Sequence, residues 1–332
     1  MMRQQRLEQT WKLWYLIEER AVACIQAVAV GDAMGKMTEG YWPEEILQNY
    51  GEQLQGFRQP VQPKSGFSWK YAEVTDDTRF TLLIAESITE KGYVDKQDII
   101  RRILKTRIKG WPGWEDFCTA ARIGEDRIAD FARLRDRNGA PMRVSPIGIV
   151  NAPENLEKII ADVDLACSMT HGAMSALSAA CAVAAAISAA VEGWKRDQVF
   201  ELAVKAAILG EGLGNDDARH PADGIMMGID FARNYKGSQL AKDLSSILNP
   251  GFVAYEGVPY ALSLAYGIPN AKEAILAAVN QGGDADSIAS MAGSVAAALN
   301  PNSVPQAWVK EVEKANNLDL SGIAIRLTKL RS

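Results

Sequence analysis

Apolar residues recur every three to four positions along most of the chain, the period of helices that bury one face. On that pattern the sequence predicts helices over 19–35, 76–90, 95–107, 115–133, 155–168, 172–192, 196–211, 239–247, 257–266, 271–280, 286–299, 304–315 and 319–329. Several have start signals: Asp95 before KQDIIRRIL, Pro153 before ENLEKII, Ser303 before VPQAWVKEV. Strand-like alternation is nearly absent. The interruptions are short and carry Gly or Pro, as in GYWPEE, RQPVQPKSG, KGWPGW, RNGAPMR and LNPGF. No linker divides the chain and no repeat of fixed period is evident. The expected architecture is therefore one all-α domain over residues 1–332. Residues 50–75 lack helical period and carry Gly, Pro and Trp, which predicts a long loop of the kind that tends to be functional.

One predicted helix is unusual. Residues 173–191, AMSALSAACAVAAAISAAV, carry no charge over nearly a membrane-spanning length. About half are Ala, with several Ser and almost no Leu or Phe, so insertion into a bilayer is marginal at best. The expectation is a helix buried inside the protein, whose small side chains let neighbours approach closely.

Composition narrows the function. The net charge is -5 and the pI about 5.3. A nucleic-acid partner needs clustered Lys and Arg, and the short runs KTRIK (105–109) and RLRDR (133–137) read as solvated helix faces. Cys24, Cys118, Cys167 and Cys181 are scattered without CxxC spacing, so neither a zinc site nor a disulfide framework is expected. That usage predicts a reducing cytoplasm. The N-terminal segment is too charged and amphipathic for a signal peptide.

The chemistry concentrates in two acidic stretches. QGGDADSI (281–288) places Asp284, Asp286 and Ser287 at the mouth of an alanine-rich helix. One carboxylate there suffices for N-capping. Two of them, behind Gly282 and Gly283, fit capping and metal binding equally well. VTDDTR (74–79) repeats the theme with Thr75, Asp76 and Asp77, and adjacent like charges repel unless a cation lies between them. Four carboxylates and two hydroxyls make a suitable oxygen shell for Mg²⁺ or Mn²⁺. A third stretch, GDAMGKMTEG (31–40), carries Glu39 on a flexible exit, which by itself reads as an exposed loop acid.

Taken in order, GDAMGKMTEG, VTDDT, RNGAPMRVSPIG, MTHGAMSA and GGDADSIASMAG resemble the ADP-ribosylglycohydrolase family, from about residue 20 to about residue 300. The resemblance implies an all-α fold with two Mg²⁺ or Mn²⁺ ions at the bottom of a cleft. The implied ligands are Thr75, Asp76, Asp77, Asp284, Asp286 and Ser287. Glu39 and Asp286 are the implied catalytic acids, and Asp32 is given a loop-holding role. Glu39, Asn138, Gly139, Met142, His171 and Gly283 are the implied substrate-binding positions. For His171 a hydrogen-bonding role at a helix N-terminus competes. His220 matches no motif.

The implied reaction is hydrolysis of the ribosyl C1 glycosidic bond of an ADP-ribose conjugate, either a modified protein or a small ADP-ribosyl compound. One departure matters: Arg133 to Arg137 stand where ADP-ribosylserine hydrolases carry a Gly- and Ser-bearing loop whose amides hold the diphosphate. Arg135 or Arg137 would replace that cradle by charge. Otherwise the substrate carries less phosphate, as for an N-glycosidase acting on a nucleoside or small ribosyl conjugate. A non-catalytic ADP-ribose binder is the alternative of a different class. Trp69 is placed to flank the cleft mouth, while Trp42, Trp111 and Trp114 read as loop packing.

Overall fold

The computed structural model describes residues 2–61, 68–235 and 239–332, with side chains from residue 14 onward. It is all-α: seventeen α-helices among the described residues, joined by short loops and two 3-10 turns. They are α1 (Met2–Gly35), α2 (Pro43–Tyr50), α3 (Asp76–Lys91), α4 (Lys96–Lys105), α5 (Trp114–Ile123), α6 (Glu125–Ala132), α7 (Ser145–Val150), α8 (Leu156–Cys167) and α9 (Met174–Glu192). They continue with α10 (Arg196–Gly210), α11 (Pro221–Arg233), α12 (Gln239–Leu244), α13 (Ala254–Gly267), α14 (Ala271–Gln281), α15 (Ala285–Leu299), α16 (Gln306–Asn316) and α17 (Leu320–Thr328).

Every predicted helix is present, with three kinds of difference. The segment 115–133 is two helices, because Gly124 takes φ 146°, a conformation that breaks a helix and that side chains rarely adopt. Helix α1 runs back well beyond residue 19. Helices α2, α7 and α11 have no predicted counterpart. In α11 the glycines of PADGIMMGIDFAR look like breakers, but they are packing positions. A Cβ on Gly224 would lie 2.9 Å from the Pro259 ring, and one on Gly228 would lie 2.0 Å from Ser263 Oγ, both in α13. Part of the predicted 50–75 loop, residues 62–67, lies outside the described residues.

Helix α9 and the pair α1 and α15 organise the interior. Helix α9 is buried from Met174 to Val191 and packs against α7, α8, α10, α13 and α15. It is long and apolar enough to cross a membrane, yet protein surrounds it throughout that length. Helices α1 and α15 form the second seam. A Cβ on Gly31 would lie 2.5 Å from Ala289 C, and one on Gly35 would lie 2.3 Å from Ala285 O. Gly293 in turn faces Ala27 O. Residues 27, 31 and 35 thus oppose 293, 289 and 285, so the two helices run antiparallel with backbones in contact. This seam delivers the end of α1 to the start of α15.

Candidate active site

The seam sets GDAMG directly against DADS. Beyond it the chain is pinned by the glycine pair. Gly283 N donates to Tyr41 O (3.0 Å), and Gly40 N donates to Gly283 O (2.8 Å). Both Gly282 (φ 76°) and Gly283 (φ 68°) are left-handed, and a Cβ on either would come within 2.0 Å of a carbonyl oxygen, that of Tyr41 or Pro250. Only glycine closes this turn. Gly283 therefore fixes the loop geometry that holds Glu39 beside Asp284.

The third segment arrives through Asp32. Its carboxylate accepts hydrogen bonds from Thr75 N (2.9 Å), Thr78 N (3.0 Å) and the Thr78 hydroxyl. A carboxylate of α1 thereby satisfies orphan amides at the start of α3 and docks VTDDT onto the seam. Thr75 Oγ1 donates to Asp77 Oδ2 (3.2 Å).

The two acidic stretches therefore meet. Carboxylate oxygens of Asp32, Asp77 and Asp286 lie within 4.8 Å of one another, and so do those of Glu39, Asp284 and Asp286. Asp286 belongs to both groups. Asp77 is 2% exposed, and its Oδ1 has no hydrogen-bond partner among the described residues. A buried carboxylate oxygen without a partner is costly unless a cation completes it. A donor set made of carboxylates suits a hard divalent ion. Asp76 is half-buried beside these groups, and the Ser287 hydroxyl reaches Met142 Sδ (3.7 Å).

Electrostatics express the crowding. Burial, reinforced by the charge of Asp286, raises Asp76 to about 7 and Glu39 to about 7, with Lys36 opposing both. Burial also raises Asp32 to about 6, against the Thr78 hydrogen bond. Asp77 and Asp284 stand well above the usual carboxylate range, again from burial first and Asp286 second. Lys36 enters this cluster from α1's exit. Its ammonium contacts Glu39 and Asp286 Oδ2 (3.2 Å). Burial disfavours its charge, but Asp286, Glu39 and Asp76 outweigh that and raise its pKa.

The NG loop closes one side. Asn138 N donates to Phe252 O (3.0 Å) and Ala254 N to Asp136 O (2.7 Å), a short antiparallel pairing. This presents Asn138 Nδ2 to Asp284 Oδ2 (2.5 Å) and Gly251 O (2.9 Å). Asn138 is buried and orients Asp284. A Cβ on Gly139 would lie 2.4 Å from His171 Cε1 and 2.5 Å from Nε2, so the imidazole packs closely against that glycine. His171 is buried, its Nδ1 is 3.0 Å from Thr170 Oγ1, and burial followed by Arg143, Arg135 and Arg137 lowers its pKa well below the usual value. It is a neutral imidazole in the wall beside the acids, outside both carboxylate groups. Arg135 lies over Phe131 (4.1 Å) and Arg137 over Phe252 (6.0 Å). Neither forms an ion pair among the described residues, whereas Asp136 between them pairs with Arg219 (2.5 Å). Trp69 is buried, with Lys36 5.1 Å and Lys109 4.2 Å from its ring. Trp111 packs with Phe80, Phe117 and Phe131.

Two residues here were not read from the sequence as parts of the centre. Asp32 both docks α3 and stands in a carboxylate group. Lys36 was not singled out, although its position four residues after Asp32 and three before Glu39 puts it at the same helix exit.

An all-α bundle with a buried carboxylate centre at a helix seam defines the class of protein. The chain belongs to the ADP-ribosylglycohydrolase family, whose model matches residues 15–332. It is 30% identical to the uncharacterized protein YegU of Escherichia coli (strain K12), over 94% of this chain and 97% of that one. It is 25% identical to the ADP-ribosyl-[dinitrogen reductase] glycohydrolase of Rhodospirillum rubrum, over 90% and 91%. Among solved structures, an ADP-ribosylglycohydrolase-related protein complex shares the fold, with a TM-score of 0.71 and 20% identity over 95% of this chain and 99% of that one. The family is one of glycohydrolases and is generally metal-dependent.

Proposed function

We propose that this protein is a metal-dependent hydrolase of the ribosyl C1 glycosidic bond in an ADP-ribose conjugate, a modified protein or a small ADP-ribosyl compound. The observation that carries the reading is the convergence of Asp32, Asp77 and Asp286 from three segments, with a buried oxygen of Asp77 left without a partner. Asp32, Asp76, Asp77, Asp284 and Asp286, with Thr75 and Ser287 beside them, are the residues that would hold Mg²⁺ or Mn²⁺. Such an ion, when bound, supplies Lewis-acid polarisation to the oxygens of the sugar and of the attacking water.

The chain's own residues do the rest. Glu39, 17% exposed at the edge of the centre, is the acid that would hand a proton to the leaving-group atom as the bond opens. Asp286, shared by both groups, fixes their mutual geometry, and Asn138 holds Asp284. The wall formed by Gly139 and His171 is uncharged and closely packed, which suits a ribose face. Arg135 and Arg137, without carboxylate partners among the described residues, are the donors for phosphate, so they favour a diphosphate-bearing substrate over a plain nucleoside. The four cysteines are free and buried, in keeping with the reducing cytoplasm we propose for it.

The test is turnover by metal-stripped protein resupplied with Mg²⁺ or Mn²⁺, on ADP-ribosylated protein, small ADP-ribosyl compounds and simple nucleosides. Metal-restored hydrolysis of the ADP-ribosyl substrates is expected. Preference for nucleosides would replace this reading with an N-glycosidase, and tight ADP-ribose binding without turnover under both metals would replace it with a binder.

A further inference from the structure

The two carboxylate groups differ in what already faces them. In the first, Asp32 is engaged with the amides of α3, while Asp77 Oδ1 has no partner among the described residues. In the second, Asp284 accepts from Asn138 Nδ2, and Glu39 and Asp286 both accept from the ammonium of Lys36. Lys36 is not a surface side chain folded over a patch of acid. Its amide N donates to Asp32 O (2.9 Å) at the last turn of α1, its ammonium nitrogen lies 5.1 Å from the centre of the Trp69 ring, and the side chain is 6% exposed.

We propose that Lys36 is a built-in cation that takes the second metal position, so that the centre holds one divalent ion, on the Asp32, Asp77 and Asp286 group. This rests on the reading that the centre is metal-dependent, and it departs from the two ions the family resemblance implies. Asp286 is common to both groups, but a divalent ion on the second also needs Glu39, which the ammonium contacts, and it would meet a fixed positive charge there. Lys36 presents N–H donors instead of an open coordination position. A sugar hydroxyl at that place accepts a hydrogen bond from it, and the position cannot be emptied by a chelator.

The test counts ions. Metal-stripped protein is titrated with Mn²⁺ and examined by native mass spectrometry and calorimetry. Wild type is expected to bind about one ion per chain, Lys36→Met two, and Lys36→Arg one, with circular dichroism confirming that each variant is folded. The electron paramagnetic resonance spectrum of Mn²⁺-loaded wild type is expected to be that of isolated ions, and this readout needs no variant. Two ions in wild type, an exchange-coupled spectrum, or one ion in Lys36→Met would each overturn the assignment to Lys36. No bound ion in wild type, at millimolar Mn²⁺, would instead remove the metal-dependent reading itself.

Discussion

Helices α9 and α15 are built from nearly the same residues, and only one of them begins at a chemical centre. Both are Ala- and Ser-rich, both are buried almost from end to end, and both are met by glycines of a neighbour. A Cβ on Gly148 would lie 2.5 Å from Ala184 O, just as one on Gly35 would press on Ala285 O at 2.3 Å. What differs is where each helix starts. At the start of α9, Asp217 accepts from Ser175 N (3.3 Å) and is partly open to solvent. The start of α15 is interior, and the carboxylates there share space with those of α1 and α3. The small residues perform the same packing in both helices. Chemistry arises where that packing carries a helix N-terminus and its acids out of reach of water, since charge left there requires another charge.

The largest contrast is between the acids at those two starts. Asp286→Asn removes the carboxylate common to both groups, so Mn²⁺ binding measured by calorimetry is expected to disappear and turnover to fall by roughly 10²–10³-fold or more. Asp217→Asn leaves an amide oxygen at a partly solvated cap and costs at most about 1 kcal/mol of stability, with turnover per folded molecule unchanged. Comparable loss of turnover in both variants would show that buried and solvated helix starts do not differ in the way described.

A smaller contrast separates the two seams. Gly35→Ala and Gly148→Ala each gain about 1 kcal/mol of helix propensity, but overpacking against a backbone costs about 1–3 kcal/mol or more, so both are expected to lower the melting temperature. Only Gly35→Ala moves the backbone of Ala285 and Asp286, so only it is expected also to weaken Mn²⁺ binding. Equal metal affinity in the two variants would mean that the α1–α15 contact does not set the carboxylate geometry.

Much of this was legible in the sequence, for a physical reason. Periodicity reports one-sided burial, so the amphipathic helices appear in it, and α9 appears because a charge-free run of that length has nowhere else to go. The acidic motifs stand out because a second carboxylate exceeds what capping requires. What stayed hidden depends on partners distant along the chain. Gly224 and Gly228 look like breakers until Pro259 and Ser263 are seen against them. Asp32 reads as a loop residue until Thr75 and Thr78 dock on it, and Asn138 reads as a substrate contact until its amide is found on Asp284. Lys36 looks like one lysine among many, because nothing in GDAMGKMTEG says that its ammonium points inward.

The smallest expected effect is a pH slope, and it too separates the two helices. In the presence of a chelator, Asp32 is raised to about 6 and Glu39 and Asp76 to about 7, and burial also holds Asp77 and Asp284 well above the usual carboxylate range. All lie above the roughly 4 of an unfolded carboxyl. A carboxyl whose folded pKa is raised contributes stability that is complete below about pH 4 and is lost as pH rises through its folded pKa. His171 acts in the opposite sense: its folded pKa is depressed, so its contribution is present above about pH 6.5 and is lost as pH falls below that. One imidazole stands against five carboxyls, so the melting temperature of the metal-free protein is expected to fall between about pH 5 and pH 7. In α9, burial pushes the Cys181 thiol up and away from the window, so it adds nothing to this slope. Metal binds the deprotonated ligands, so saturating Mn²⁺ is expected to flatten or reverse the trend. A metal-free melting temperature that rises over the same interval would mean that the carboxyls of the centre are already paired with positive charge.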